Sequence, residues 1–301
     1  MITVEQNDER QLQRLSAQRQ LYATAKSVFA WQVVLSGPVT VSIAFLVVVF
    51  PSIKGYAALW GVTLALCDVL WLSPWQKRLK DLAARVQEAF DCDVLALPWN
   101  DLKSGERPDP ELVKEKAEKY KEWAWQMPPL KNWYPVAVAE IPVYIGRLAC
   151  QRSNCWWDSK QRRRYAAWII ALVGLVFALV LLLSMGQGFT IEDFVLKVAA
   201  PLAPALLLGV RQFTEQRDAA TRLDSLKGHA ERLWKHALSG APEGELTASA
   251  RNLQDEILES RRKSPLMFDA VFNLLRRDYE VQMNSGAADL VSEAKARLGN
   301  V

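Results

Sequence analysis

The 301-residue chain has no Gly-rich phosphate loop ending in GKS or GKT, no GxGxxG, no HExxH and no GxSxG. The commonest nucleotide-hydrolysing, dinucleotide-dependent, zinc-protease and serine-hydrolase chemistries therefore have no motif to act through. Histidine is scarce: His229 and His236 are the only two, and neither pairs with a Cys or Ser nucleophile. The four cysteines, Cys67, Cys92, Cys150 and Cys155, form no CxxC pair. They suggest neither a zinc site nor a redox pair and read as reduced thiols, cytosolic or buried. Paired carboxylates occur only inside charged helical stretches, where they are solvated. No catalytic residue, metal or resident cofactor is expected, and the chain does not read as an enzyme. A formal charge of only +4 is too weak for a surface that coats DNA or RNA. The first apolar run begins near Val28, late and long for a signal peptide, so the first membrane helix is expected to act as its own insertion signal.

Half the residues are apolar and 23% are charged, but the two classes are segregated into blocks. Tyr165–Ile191 holds no Asp, Glu, Lys or Arg. As one helix it would run about 40 Å, enough for a hydrocarbon core of about 30 Å. Arg162, Arg163 and Arg164 stand before it and Glu192-Asp193 after it, so the segment is expected to leave the cytoplasm at Arg164. Ser27–Ile53 is a second charge-free run, with Pro38 placed to kink it. Gly55–Trp75 returns with one charge, Asp68, and Trp71 and Trp75 mark its inner end. Phe194–Val210 is the fourth run; Lys197 is placed to snorkel outward, and Pro201 and Pro204, three apart, should bend it. Asp68 is either a pore or gate residue or a helix–helix hydrogen bond inside the membrane. Pro38, Pro201 and Pro204 join it as pore or gate candidates, because broken helices at membrane depth line cavities.

These runs predict an all-α membrane protein with four transmembrane helices in two hairpins and a mostly helical cytosolic domain. The expected order is a cytosolic amphipathic helix over 1–27, a hairpin over 28–75, a cytosolic region over 76–164, a second hairpin over 165–210 and a C-terminal helical region over 211–301. Both termini would be cytoplasmic, since Lys and Arg gather at the inner flanks. Asp91–Leu97 alternates with a β-like period and reads as a short strand. Asp109 and Pro110 predict the start of a helix over 111–126, stopped by Pro128-Pro129. Breaks at Ser264-Pro265 and Ser285-Gly286 divide the C-terminal region into helices over 247–261, 266–283 and 287–298.

Lys131–Arg164 has the most unusual composition: Trp133, Tyr134, Arg147, Arg152, Asn154 and Trp157 stand close together in it. Guanidinium groups grip phosphates and indole or phenol faces stack on bases, while side-chain amides read base edges. These six are the candidate ligand-binding residues. Trp and Arg just before a membrane helix are also ordinary interfacial anchors, and both readings stand at this point.

Several stretches together are similar to one family. They are Gln6-Asn7 with Arg10, Ala17-Gln18-Arg19, Leu21-Tyr22, Leu97-Pro98-Trp99-Asn100 and Trp133-Tyr134-Pro135. Cys150-Gln151-Arg152, Asn154-Cys155-Trp156-Trp157-Asp158, Leu253-Gln254-Asp255, Arg261, Pro265, Phe268-Asp269, Arg277, Glu280 and Met283 complete them. The chain resembles the SMODS-associated four-transmembrane effectors, encoded beside bacterial cyclic-oligonucleotide synthases. The resemblance implies an inner-membrane anti-phage effector. A cyclic oligonucleotide made by the partner synthase would activate it to permeabilise the lipid bilayer, as a homo-oligomer and not as a lone subunit. The rival expectation is a receptor or scaffold that makes no pore and signals through its cytosolic helices; a membrane enzyme or transporter is the third.

Overall fold

The computed structural model describes residues 1–124, 130–188, 190–195 and 199–299. A short helix α1 (Ile2–Glu5) leads into α2 (Glu9–Val34), whose N-cap is Asp8, its carboxylate accepting from Arg10 N at 3.0 Å. The helix then widens into a π turn over Leu35–Val39 and continues as α3 (Thr40–Val49). Pro38 sits in that turn: it brings no N–H, and the wider turn accommodates its ring. Thr40 Oγ1 donates to Leu35 O at 2.7 Å across it. A 3₁₀ turn over Pro51–Ile53 reverses the chain into α4 (Lys54–Cys67). A second π turn, Asp68–Leu72, joins α4 to α5 (Ser73–Val94).

Among the described residues three helical stretches are long and apolar enough to cross a membrane: Glu9–Val47, Lys54–Val94 and Val143–Gly186. The third is α8, 44 residues without a break, about 66 Å at the helical rise. Its distal apolar side chains, such as Leu172, Leu182 and Leu183, are exposed, as a lipid-facing surface requires. Trp31, Trp71 and Trp75 are exposed as well, where the apolar stretches give way to polar ones. After α9 (Ile191–Phe194), residues 196–198, Lys197 included, lie outside the described residues. From Ala200 the chain is one helix, α10 (Ala200–Leu238), with Pro204 in its interior and Pro201 in its first turn. The side chain of Pro201 lies outside those described. α10 runs along α8, and a Cβ on Gly209 would overlap Val173 Cγ2. Glycine at this position lets the two backbones approach, the device membrane helices use in place of hydrophobic burial.

The polar part is built from α6 (Asp101–Ser104), α7 (Pro110–Lys121), a 3₁₀ turn (Val136–Glu140), the first half of α8, the second half of α10, α11 (Glu243–Lys263) and α12 (Asp269–Leu298). Asp109 and Pro110 do open α7, although the Asp109 side chain makes no capping hydrogen bond. The helix ends at Lys121, and Gln126, Pro128 and Pro129 fall outside the described residues. One core joins α2, α5, α8, α10, α11 and α12 through Leu15, Phe90, Leu148, Trp234, Leu246 and Val291. Each such fully buried large side chain contributes about 1.5–3 kcal/mol.

Two expectations about this part are corrected. Asp91–Leu97 is not a strand: α5 continues to Val94, and the chain leaves it by Leu97 N donating to Cys92 O at 2.8 Å and Ala96 N to Asp93 O at 3.4 Å, with Ala96 at φ 51°. This is a Schellman ending. Glu88, Asp91 and Cys92, at helical spacing, all face the interior, and their polar partners on α11 select the helix over the strand. Ser285-Gly286 does not break α12. A helical glycine costs about 1 kcal/mol relative to alanine, and Ala287, Val291 and Ala294, all buried, offset that cost by packing.

Candidate functional site

A cavity of about 220 Å³ lies where α2, the 130–134 segment, α8, the α11–α12 connector and α12 converge. α2 contributes Gln18, Arg19, Tyr22 and Lys26, spaced so that successive turns present one face. α8 contributes Asn154, Trp157, Asp158, Gln161 and Arg162. Trp133 and Tyr134 come from the extended segment, Arg261 from the end of α11, and Asp269, Arg276, Glu280 and Met283 from α12. Six basic side chains, five aromatic ones and three carboxylates line it.

The N-terminus fixes the 132–134 segment. Gln6 and Tyr134 bond reciprocally: Tyr134 N donates to Gln6 Oε1 at 2.7 Å and Gln6 Nε2 to Tyr134 O at 3.3 Å. Asn7 does the same with Asn132, both contacts at 2.9 Å. Asn132 stands at φ 56°, a conformation asparagine tolerates better than most residues. These bonds hold the Trp133 ring under the Arg19 guanidinium, 5.5 Å from the ring centre. On α8, Trp157 meets Tyr279 edge to face at 6.4 Å.

Beneath the cavity is a buried charge network. Arg261 Nη1 reaches Asp91 Oδ2 at 2.5 Å, and the Tyr134 hydroxyl donates to Asp91 Oδ1 at 2.6 Å. Arg251 Nη2 pairs with Glu88 Oε1 at 2.6 Å, and Gln254 Nε2 donates to Glu88 and Asp91, each at 2.9 Å. Burial alone would disfavour the Arg261 charge, but Asp91, Tyr134 and Glu88 more than offset it and raise its pKa above the ordinary value. Burial, with Asp91 adding to it, pushes the Tyr134 phenol well up, so it stays a donor. α11 is thereby locked to α5 by two acids and two arginines, each with a partner of opposite charge.

Most cavity cations are engaged by the protein's own carboxylates. Lys26 pairs with Asp269, Arg162 Nε with Asp158 at 2.9 Å and Arg276 Nε with Glu280 at 3.2 Å. Several buried polar atoms of the lining are not engaged among the described residues, Arg261 Nη2 and Ser264 Oγ among them. Gln18 Oε1 and Gln161 Nε2 are buried and find no hydrogen-bond partner among the described residues. Such orphaned atoms at a cavity wall favour a ligand with both donors and acceptors.

Of the six candidate ligand residues, Trp133, Tyr134, Asn154 and Trp157 line this cavity. Two do not. Arg147 is buried away from it, donating through Nε to Val143 O and through Nη1 to Ala96 O, both at 3.3 Å. Its task is to satisfy the Ala96 carbonyl just past the end of α5. Arg152 spans instead to Glu231 on α10, at 3.2 and 3.1 Å. The sequence reading left out Arg19, Lys26, Arg162, Arg261 and Arg276 as ligand residues. Among the described residues no three His, Cys, Asp or Glu side chains form a metal-binding group.

In the apolar part, Asp68 is tied into the hairpin. Gln32 Nε2 donates to its Oδ1 at 2.5 Å and Ser73 Oγ to its Oδ2 at 3.2 Å, while Gln76 Nε2 donates to Gln32 Oε1 at 3.0 Å. Asp68 opens one π turn, and Gln32 stands just before the other. Asp68→Asn would keep the shape but replace a charge-assisted acceptor, and interhelical bonds in lipid average about 0.6 kcal/mol. The variant is expected to insert normally and melt slightly lower in detergent. An unchanged melting temperature together with altered ion conductance would make Asp68 a pore residue instead.

The family model described as "SMODS-associating 4TM effector domain" matches residues 1–290. A curated protein of Bacillus cereus (strain VD146), described as "Probable CBASS effector molecule", is 22% identical over 227 residues, covering 73% of this chain and 75% of its own length. No solved structure matches.

Proposed function

Because the chain belongs to the family of SMODS-associating 4TM effectors, we propose that it is a bacterial inner-membrane effector that a cyclic oligonucleotide switches from a closed to a permeabilising state. The observation that carries this reading is the continuity of α2 and α8. Each places side chains in the cavity and then runs on, without a loop, into a stretch apolar enough to cross the membrane. A ligand that changes the angle between them at the cavity changes it in the bilayer. Four spans, both termini in the cytoplasm, assembly of several copies and the absence of catalysis are parts of the same proposal.

The inventory suits the ligand. Arg19, Arg162, Arg261 and Arg276 offer phosphate contacts, Trp133 and Trp157 offer stacking faces, and Gln18, Gln161 and Asn154 offer base-edge contacts. At about 220 Å³ the cavity is below the range of about 300–1,000 Å³ usual for small-molecule pockets. A ligand of two or three nucleotides therefore enters by widening it, and the ion pairs from Asp269 and Glu280 on α12 are the contacts phosphates would compete for. The widened state is the one the ligand stabilises, which is what a population shift requires.

Isothermal titration of the detergent-solubilised chain with cyclic di- and trinucleotides tests this. One of them should bind, and Trp133→Ala should weaken it by about tenfold or more, since one base stack contributes about 1–3 kcal/mol. Equal affinity in Trp133→Ala, Trp157→Ala and the parent chain would move the ligand out of this cavity.

A further inference from the structure

A second cavity, of about 300 Å³, lies between α2, α5, α10 and the α11–α12 connector. Its position is distinctive. Gln76 in its wall directly follows Trp75, and Gln212 directly follows Arg211. An exposed indole and an exposed guanidinium at these points are side chains that favour the headgroup layer. The wall is polar and carries both signs. Lys80 of α5 and Lys263 of α11 line it together with Glu215, Asp218 and Arg222, which share one face of α10. Lys80 is half-buried yet makes no hydrogen bond or ion pair among the described residues, and an unpaired, partly desolvated ammonium favours an anion. Gln212 Oε1 is buried without a hydrogen-bond partner among the described residues and needs a donor.

We propose that this second cavity holds a phosphoethanolamine group, supplied by a phospholipid of the inner leaflet. The phosphate lies between Lys80 and Arg222. The primary ammonium lies toward Glu215 and Asp218 and donates to Gln212 Oε1. A trimethylated ammonium cannot make that last bond, and a glycerol headgroup brings no cation for the carboxylates. The chemistry therefore selects ethanolamine over choline or glycerol. The proposal rests on the membrane placement given above. Pro265 and Leu266 line this cavity and the first one alike, so a lipid bound here presses on the connector that closes the candidate ligand site.

Native mass spectrometry of the full chain, released from nanodiscs containing equal amounts of ethanolamine, choline and glycerol phospholipids with matched acyl chains, reads the preference. One ethanolamine lipid per chain should be retained, enriched about tenfold over choline lipid, the scale of one charge-assisted hydrogen bond. Gln212→Leu should abolish the enrichment and Lys80→Gln should lower retention of every phospholipid, both leaving the helical circular-dichroism signal unchanged. No enrichment, enrichment kept in Gln212→Leu, or undiminished retention in Lys80→Gln overturns the site. Soluble phosphoethanolamine and inorganic phosphate form the other arms: if millimolar phosphoethanolamine displaces the lipid completely, or phosphate alone raises the melting temperature as much, the ligand is a free metabolite or ion and the lipid assignment falls. Flotation with vesicles separates the two levels. A chain that fails to float refutes the membrane placement, whereas one that floats without headgroup preference refutes only this cavity.

Discussion

Replacing Arg251 by methionine is expected to destabilise the protein by about 3–5 kcal/mol, the cost of leaving a buried charge without its partner. Arg251 is 7% exposed and Glu88 is fully buried. Its Nη2 pairs with Glu88 at 2.6 Å and with Asp255 at 3.0 Å, and its Nη1 donates to Pro98 O at 3.0 Å. Methionine fills much of the same volume but returns none of these bonds. Glu88 would keep Gln254 and a distant Arg261, 3.9 Å away, which does not offset a full negative charge. The double variant Glu88→Gln/Arg251→Met removes both charges and should recover much of the loss, since paired removal of a buried ion pair is often close to neutral. Thermal melts in detergent compare the three chains. If Arg251→Met melts with the parent chain, the network does not hold α11 on α5.

The second large effect is on whole cells. Expressed alone, the protein is expected to be tolerated, because the closed state must dominate without ligand. Co-expressed with an active cognate synthase, it should collapse the membrane potential and arrest growth. Moving a two-state equilibrium from 1:99 to 99:1 requires about 5.5 kcal/mol of differential binding. Trp133 and Trp157 reach the cavity from different segments, and two lost stacks at about 1–3 kcal/mol each would consume much of that difference. The Trp133→Ala/Trp157→Ala chain should therefore reach the membrane in normal amounts and leave the potential standing. A synthase without its catalytic acids should be equally harmless, as no messenger is made. Potential-sensitive dye followed during synthase induction gives the result. A steady potential with messenger and parent chain both present would replace the pore with a signalling scaffold.

The long apolar blocks were legible because a membrane span is specified locally: Tyr165–Ile191 needed no partner to be recognised, and its residues up to Gly186 became the distal part of α8. The aromatic and amide cluster at 133–157 was half legible. Trp133, Tyr134, Asn154 and Trp157 meet at the cavity, but Arg147 and Arg152 share their neighbourhood in sequence and not the cavity. On a helix, position 152 projects to another face than 154 and 157, while 147 shares the face of 154 but lies two turns before it, and only the packing of α8 decides which of these positions meets ligand. Arg19, Arg261 and Arg276 were missed for a related reason: periodicity gives the face of one helix but not which helix it meets. The one available signal was the scattered family-like stretches, since Gln18-Arg19, Tyr22, Arg261, Pro265, Asp269, Glu280 and Met283 all prove to be cavity residues. The strand expected at 91–97 failed because a period of two over seven residues was read without the acids' partners, Arg251, Gln254 and Arg261, which lie more than 150 residues away.

The unbroken run of α8 also has a consequence in time. Between Asn154 in the cavity and Leu172 in the apolar stretch there is no loop to order and no proline to isomerise. A tilt imposed at one end is a collective rigid-body motion, which belongs to the microsecond-to-millisecond class. On the proposed mechanism, any messenger that accumulates over longer than milliseconds would be followed by the effector almost without lag.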